Sequence, residues 1–507
     1  MNRRQPDITQ MIGMASGEAQ DQRVETEILE PASVSQSQAT FLLPQKGLLS
    51  SDAFLTFKMT TVDPNVDIPL MAGATGLIRR ASIYYGNVLL QETDQAAHLL
   101  QLKSTYVDQD VRNQTYQTKT GHFSGLKVDE NAAGKLGFYS MDAANDGTGI
   151  TGLIVQDTGG LNYGKDPAFR LRNTVEATPE WTIPLRWFFN WLSQTQVPLG
   201  LLNERLTIVF DFNEDLPGLR SVISNPVGGN VGWAVGTNVV ESSVRLSLDL
   251  IYYDDQPGKP SPMSAIAAAV EKGMEMVYTD YVAVEEYIPS LGAPPAAPQN
   301  QQKIVRLGLD HQVCRNILIA TPKQSDYTSN IVDGFSNAIL GDYNSRASSG
   351  RRTLQVKINN QNLFVNALDM DCKLWNELSQ VMATPMKANI GMTSAVGQVG
   401  GANLVYDINQ QSFPDDKFIY GHPEGGVYGG AANNASLSGA LGYMGVNLSR
   451  TYDNVLGAGT NISKSPVEVE LNYTRSSQNW RQLRMLLWCE NERLMMIKNG
   501  TIYVSGS

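Results

Sequence analysis

Alternation of apolar and polar residues with a period of two is the main pattern along this chain. It is clearest in RLTIVFDF, residues 205–212, where Leu206, Ile208, Phe210 and Phe212 fall on one face. The same alternation occurs in three other segments, residues 244–255, 353–359 and 467–475. Because successive side chains of a strand point to opposite faces, this pattern predicts β-strands with one buried face.

Weaker alternation predicts further strands at residues 24–30, 53–59, 81–90, 276–288, 303–309, 315–321 and 485–489. Near the end of the chain, Asn499-Gly500 lies between two apolar runs and predicts a hairpin with a type I′ turn. Helical patterns predict short helices at 93–106, with Thr93 as the N-cap, at 371–382 and at 264–272. Short strands with so little strand–helix alternation favour β-sandwiches or jelly rolls over a doubly wound sheet.

A change in composition near residues 256–264 divides this pattern into two parts. The segment DDQPGKPSPMS has three prolines and a glycine directly after a strong strand, which is typical of a linker. We therefore predict an N-terminal arm at 1–23, a first domain at 24–256, a linker at 257–263 and a second domain at 264–507. Residues 121–180 and 391–460 are rich in Gly, Asn or Asp and predict long loops, which compact domains usually keep for function or contact.

The composition is that of a globular protein with many turns. The 507 residues are 42% hydrophobic and include 45 Gly and 23 Pro. The net charge of −11 and the lack of a Lys/Arg run argue against a surface that neutralises phosphates, so we expect no sequence-specific nucleic-acid binding. The first 23 residues lack the apolar core of a secretory signal, so we predict no signal peptide.

No arrangement of residues predicts catalysis, a cofactor or a metal. Three separated cysteines, Cys314, Cys372 and Cys489, indicate neither a disulfide framework nor a zinc site. The histidines are dispersed along the chain, at His98, His122, His311 and His422. The carboxylate pairs Asp369/Asp371 and Glu285/Glu286 are compatible with acid–base work on a glycan, but such work needs a defined separation across a cleft.

The segment IPLRWFFNWLSQTQVPLG, residues 183–200, concentrates aromatic side chains directly before the strand at 205–212. Its candidate packing or interface residues are Trp187, Phe188, Phe189 and Trp191. Three interpretations are open at this point: a plug buried against a sheet or a neighbouring subunit, an interfacial membrane anchor, or an exposed platform for stacking sugars. Since only Arg186 supplies a basic flank, the plug is favoured over the anchor.

Three segments resemble the double jelly-roll major capsid proteins of virophages, polinton-like viruses and related large DNA viruses. They are the Pro-Leu/aromatic/Pro-Leu segment and its strand (183–212), LIRRASIYYGNVLLQETDQAAHLLQLKSTY (77–106) and the tail RMLLWCENERLMMIKNGTIYVS (484–505). The resemblance implies an all-β fold of two tandem eight-stranded jelly rolls with short helices and long loops. It also implies a homotrimer that forms a pseudo-hexameric capsomer and tiles an icosahedral shell around a double-stranded DNA genome.

The same resemblance implies the partners and the place of the protein. Expected partners are neighbouring capsomers, penton and minor capsid proteins, and, in some relatives, an inner membrane; the expected location is the virion. The N-terminal stretch carries Arg3 and Arg4 beside apolar Met11 and Ile12. We consider it either a disordered tail or an arm on the inner face that contacts a neighbouring capsomer or the underside of the shell.

Two other functions compete with the capsid interpretation. One is a tandem jelly-roll carbohydrate-binding protein or glycoside hydrolase, which would require a carboxylate pair and exposed aromatic rings in one cleft. The other is a minor capsid or spike protein, which usually carries one jelly roll instead of two.

Overall fold

The computed structural model describes most of the two regions in which the sequence predicts strands. Its longer described stretches are residues 22–60, 73–105, 180–193, 196–212, 238–253, 262–297, 299–307, 313–322, 352–368, 443–448, 466–475 and 481–504. Short described pieces are 66–67, 137–138, 153–154, 220–221, 324, 377, 381, 396–399, 403–406, 426–428, 435–437 and 460–461.

Strands dominate the first half of the chain. They are β1 (Gln22–Leu29), β2 (Ser33–Val34), β3 (Gln38–Leu42), β4 (Leu48–Phe57), β5 (Met59–Thr60), β6 (Val66–Asp67), β7 (Ile78–Tyr85), β8 (Val88–Asp94), β9 (Gly137–Phe138), β10 (Leu153–Ile154), β11 (Trp181–Pro184), β12 (Leu206–Phe212), β13 (Arg220–Ser221), β14 (Asn238–Val239) and β15 (Arg245–Tyr253). Helix α1 (Ala96–Thr105) follows β8. Short 3₁₀ turns lie at Gly73–Leu77, Leu185–Trp187, Asn190–Ser193, Leu199–Leu201 and Glu241–Ser243.

The second half begins with helix α2 (Pro262–Lys272) and continues with strands. These are β16 (Met274–Ile288), β17 (Gln299–Leu307), β18 (Val313–Ala320), β19 (Arg352–Ile358), β20 (Gln361–Asn362), β21 (Val396–Val399), β22 (Asn403–Tyr406), β23 (Gly426–Tyr428), β24 (Ala435–Leu437), β25 (Tyr443–Asn447), β26 (Thr460–Asn461), β27 (Val467–Arg475), β28 (Leu483–Lys498) and β29 (Thr501–Val504).

The strands of the first half form two facing four-stranded layers. One has the order β1-β15-β4-β11 and the other the order β3-β12-β7-β8, with β2 added beside β3. When these eight strands are numbered along the chain, the two orders become 1-8-3-6 and 2-7-4-5. This is the strand arrangement of a jelly roll, in which Greek-key connections cross between the sheets.

The second half repeats the arrangement. Its sheets have the orders β16-β28-β18-β25 and β17-β27-β19-β20, which again correspond to 1-8-3-6 and 2-7-4-5. The two halves are joined edge to edge, because β8 lies parallel to β16 with Thr93 opposite Tyr281. One sheet of the first jelly roll therefore continues into one sheet of the second. The described residues form a double jelly roll, and the expected fold class is confirmed.

The period-two pattern located the strands well. Along β12, Leu206, Ile208, Phe210 and Phe212 are all buried and alternate with half-buried residues. Each such side chain contributes about 1.5–3 kcal/mol when it is fully buried. The predicted strand at 467–475 coincides with β27, and Asn499 and Gly500 have φ values of 50° and 74°, as a type I′ turn requires.

Several expectations about boundaries were wrong. The segment 81–90 is two strands, since the chain turns at Gly86, where φ is 54°, and pairs Tyr85 with Val88. Thr93 is not an N-cap: it lies in β8, and its hydroxyl donates to the carbonyl of Phe188 at 2.8 Å. Helix α2 begins two residues before the predicted start at 264. Most of the predicted helix at 371–382 lies outside the described residues.

Two large hydrophobic cores occupy these layers, and a small third cluster lies where Ile266 of α2 packs on Leu48, Ile251 and Tyr253. The larger core fills the first jelly roll but also includes side chains from the second half, among them Tyr278, Leu318, Trp488 and Ile497. The smaller core lies within the second jelly roll, between residues such as Val305, Val356 and Leu487. The larger core thus crosses from one jelly roll to the other.

Candidate functional site: the junction between the jelly rolls

The two jelly rolls meet at a junction where β8 of the first lies beside β16 of the second. At its centre, the Tyr278 hydroxyl of β16 donates to the carbonyl of Leu90 at 2.6 Å. One residue farther along each strand, the Gln91 amide donates to the carbonyl of Thr279 at 3.0 Å. Both donors are buried, and a buried donor without a partner costs roughly 1–3 kcal/mol. These bonds therefore favour one register between the two jelly rolls.

A second contact comes from the C-terminal turn, Asn499–Gly500, which lies against the first jelly roll. The carbonyl of Gly500 accepts from the Tyr85 hydroxyl at 2.8 Å and from the backbone N–H of Asn203 at 2.9 Å. The side-chain amide of Asn203 donates to the carbonyl of Asn499 at 2.9 Å. The last hairpin of the chain is thereby attached to a strand and a loop of the first half.

The aromatic segment, residues 185–193, lies between the two jelly rolls. Its 3₁₀ turns contact β4 of the first jelly roll, and the turn at Asn190–Ser193 also contacts β16 of the second. Phe188, Phe189 and Trp191 are buried, while Trp187 is half-buried. The ring of Phe188 meets that of Phe210 edge-on, with the ring centres 5.6 Å apart. The rings of Phe188, Phe189 and Trp191 accordingly pack inside the chain, and a contact of Trp187 with another subunit stays a prediction.

Trp488 of β28 and Lys103 near the end of α1 make further contacts across the junction. The indole N–H of Trp488 donates to the carbonyl of Asp94 at 3.1 Å. The ammonium of Lys103 lies 3.8 Å from the centre of the Tyr281 ring, within the range of a cation–π contact. The Tyr281 hydroxyl in turn donates to Glu490 at 3.3 Å. Residues from α1, β16 and β28 thus form one connected polar and aromatic group.

Burial alters the pKa values of several titratable side chains of the junction, among them Asp280 and His98. Burial raises the pKa of Asp280 to about 6, against the opposing effect of Arg493, whose Nε lies 2.9 Å from the Asp280 carboxylate. Burial also lowers the pKa of His98, on α1, to about 3, with a smaller contribution from Arg484. His98 is therefore neutral at physiological pH.

The described carboxylate pair does not have the geometry of a glycosidase. Glu285 and Glu286 are consecutive in β16, so their side chains point to opposite faces of the sheet. Each is held by a cation: Arg484 Nε lies 2.8 Å from Glu285, and Lys303 Nζ lies 2.9 Å from Glu286. Asp369 and Asp371 lie outside the described residues.

Other expected site residues can be placed only in part. Cys314 and Cys489 are free thiols buried in the second jelly roll, while Cys372 lies outside the described residues. The arm residues Arg3, Arg4, Met11 and Ile12 also lie outside them. Within the described part of the chain, no group of three or more His, Cys, Asp or Glu side chains is placed to hold a metal, and no helix is long and apolar enough to cross a membrane.

Sequence reasoning missed the residues that fix the junction. Tyr85, Asn203 and Tyr278 make their key bonds to atoms 188 to 415 positions away in the chain. The Asn499-Gly500 signal located the turn but carried no information about the surface that the turn meets.

Comparison with solved structures finds the same fold in viral capsids. A structure of PBCV-1 VP54 fitted into a reconstruction of the virophage Sputnik matches 97% of this chain and 98% of its own, with 11% identity and a TM-score of 0.56. A quasi-atomic model of the PBCV-1 virus capsid matches with the same values. The structure of the Sputnik virophage matches 96% of this chain and 89% of its own, with 12% identity and a TM-score of 0.50. No protein-family model and no curated protein matches the sequence.

Proposed function

We propose that this chain is a major capsid protein of the double jelly-roll type. Three copies would form a pseudo-hexameric capsomer, and capsomers would tile an icosahedral shell around a double-stranded DNA genome. The proposal follows the resemblance to the virophage and polinton-like group. It gives the chain a structural role in the virion and no enzymatic activity.

The observation that carries the proposal is the repetition of one jelly roll within a chain that aligns along almost its whole length with capsid structures. Both halves have the strand order 1-8-3-6 and 2-7-4-5, and 97% of the chain aligns with PBCV-1 VP54. Three chains with two similar jelly rolls each supply six similar units, which suits a hexagonal outline. A closed ring of identical subunits is a common form of assembly.

The fixed junction supports the same proposal. A capsomer keeps its outline only if the two jelly rolls of each chain keep their relative position. The bonds from Tyr278, Gln91 and Tyr85, together with a shared core, fulfil that requirement. A carbohydrate-active protein would need an open cleft with exposed rings, and the aromatic rings at 188, 189 and 191 are buried instead.

The partners follow from the proposed role. Neighbouring capsomers, penton proteins and minor capsid proteins would contact the rim and the inner face of the trimer. Residues 1–21, with Arg3, Arg4, Met11 and Ile12, precede β1 and would supply an arm on the inner face toward a neighbouring capsomer or the underside of the shell. An inner membrane would be a further partner where one is present.

Light scattering and negative-stain microscopy of the purified chain test the proposal. We expect a particle of about three times the chain mass of 55.5 kDa with a hexagonal projection. A stable monomer that binds or cleaves glycans would overturn the proposal and favour the carbohydrate-active alternative.

A further inference from the structure

The loop at residues 361–368 carries the most exposed large apolar side chain among the described residues. The side chain of Val365 is 96% exposed, and the next in that group, Ile28, is 61% exposed. This loop follows β19, begins with the two residues of β20 and lies at the edge of one sheet of the second jelly roll. Single exposed apolar side chains are common on protein surfaces, so the exposure of Val365 indicates a contact only together with the structure and composition of the loop that carries it.

Backbone hydrogen bonds attach the loop to β19 at both of its ends. At one end the backbone N–H of Leu363 donates to the carbonyl of Val356 at 2.7 Å. At the other end Leu354 and Leu368 exchange two backbone hydrogen bonds, at 2.8 and 2.9 Å. The backbone is therefore paired with β19 on both sides of the exposed tip.

The buried side chain of Gln355 holds the part of the loop that leaves the strand. Its amide nitrogen donates to the carbonyl of Phe364 at 2.8 Å, and its amide oxygen accepts from the N–H of Phe364 at 3.3 Å. The half-buried side chains of Leu363 and Phe364 pack against the core of the second jelly roll. The tip at Val365 is thus preorganised, and binding there costs little conformational entropy.

The charge of the loop indicates its partner. Residues 358–368, INNQNLFVNAL, contain no Asp, Glu, Lys or Arg, although the whole chain has a net charge of −11. Copies with the same net charge repel each other, so they approach best where the surface is uncharged. A nucleic acid or an anionic membrane would instead select Lys and Arg.

Protection of the sheet edge alone does not account for this composition. Edges are usually protected by charged residues, especially Lys, or by Pro. Here the loop covers the edge of β19 but exposes a valine at its tip. An apolar side chain favours contact with another surface, whereas the charged residues usual at such an edge disfavour it.

From these observations we infer that the loop at 361–368 is a contact surface for a second copy of this chain, with Val365 inserted into that copy. The inference rests on the proposed capsid function. It adds to that function a particular contact between copies in the assembled shell.

Replacement of Val365 tests the inference in the full-length chain. Val365→Asp should raise the protein concentration needed for association of copies by at least about tenfold, which corresponds to about 1.4 kcal/mol. Val365→Ser, which adds no charge, should shift association in the same direction by a smaller factor. Sedimentation velocity over a range of concentrations measures both shifts. Thermal unfolding at a concentration below that of association should show an unchanged melting temperature, because the side chain is exposed in the single chain.

Val24→Asp is the matched control, since Val24 is 52% exposed and lies on β1 of the other jelly roll. The inference is supported if the wild type and Val24→Asp associate alike and the two Val365 variants do not. Equal losses in Val24→Asp and Val365→Asp would overturn it, because added charge alone would then explain the result. Normal association of Val365→Asp would also overturn it while leaving the capsid function in place. A wild type that stays monomeric would overturn both.

Discussion

Gly500 is the residue whose backbone and surroundings constrain the junction most closely. Its φ is 74°, and a Cβ at this position would lie 2.6 Å from the carbonyl oxygen of Leu201 and 2.7 Å from Oδ1 of Asn203. Gly292 has a similar φ of 82° but nothing within 4 Å of the corresponding point. An alanine at either position would be strained by the left-handed backbone, but only an alanine at position 500 would also clash with neighbouring atoms. Comparing the two substitutions therefore separates the free-energy cost of backbone strain from that of the clash.

We therefore predict that Gly500→Ala destabilises the protein more than Gly292→Ala. Each substitution pays about 1–2 kcal/mol for a left-handed backbone. Gly500→Ala should lose about 1–3 kcal/mol more, since the turn must move away from the first jelly roll. The free energy of unfolding from urea titrations measures the difference. An equal decrease in both variants would show that the C-terminal turn is not in close contact with Leu201.

His98 gives the junction a dependence on pH. Its pKa is about 3 in the folded protein and near 6.5 when unfolded, so only the unfolded state takes up a proton as the pH falls below 6.5. The resulting loss of stability is about 2 kcal/mol between pH 7 and pH 5. His98→Gln should remove this part of the pH dependence, as measured by urea unfolding at the two pH values.

Asp280 acts in the opposite direction and provides the contrasting variant. Its pKa is raised to about 6, so the folded state binds a proton at a higher pH than the unfolded state does. This group therefore adds stability as the pH falls from about 7 toward 4. Asp280→Asn should make the acid-induced loss of stability steeper, whereas His98→Gln should make it shallower. Slopes that change in the same direction in both variants would contradict these assignments.

Among the elements, the aromatic segment contains two tryptophans whose substitutions should destabilise the protein to different degrees. Trp191 is fully buried between β4 and β16, whereas Trp187 is half-buried. Trp191→Ala should lower the free energy of unfolding by about 3–5 kcal/mol, because the lost ring leaves a large cavity between β4 and β16 into which the surrounding strands can relax only partly. Trp187→Ala should cost clearly less in the isolated chain. Any larger effect of Trp187→Ala on assembly than on stability would indicate that its exposed part meets another subunit.

The strands show what the sequence could predict and where it could not. β12 and β27 were located because every second residue is apolar along their whole length. β28 was predicted as two separate pieces, at 485–489 and as the apolar run before the Asn499-Gly500 turn, since Glu490, Asn491 and Glu492 interrupt the apolar pattern in the middle of a strand that extends over Leu483–Lys498. Those polar residues are compatible with a strand because Tyr281, Asn316 and Arg315 contact Glu490 and Glu492.

The candidate site was less accessible to sequence reasoning than the fold. The aromatic segment was identified because its composition is unusual, but the choice between a buried plug and an exposed platform depended on the surrounding sheets. The bonds of Tyr278 to Leu90 and of Tyr85 to Gly500 join residues that have no local relationship in the chain. Periodicity gives the face that a strand buries and does not give the element that covers it.

In the whole molecule, the shared core makes the two jelly rolls depend on each other. Tyr278, Trp488 and Ile497 belong to the second half but are buried in the core of the first. We therefore predict that the purified wild type unfolds in a single calorimetric transition, although chains of this size with two domains often show more than one.

Trp488→Ala should separate that transition into two. The substitution removes a fully buried ring and the bond from its indole N–H to the carbonyl of Asp94, so the first jelly roll loses part of its core at the junction. The expected loss of about 3–5 kcal/mol should fall mainly on the first jelly roll. Leu487→Ala is the matched control, since Leu487 is adjacent in β28 but is buried in the core of the second jelly roll alone. If Trp488→Ala lowers the melting temperature but keeps one transition, the two jelly rolls are coupled mainly through the sheet formed by β8 and β16 and not through the shared core.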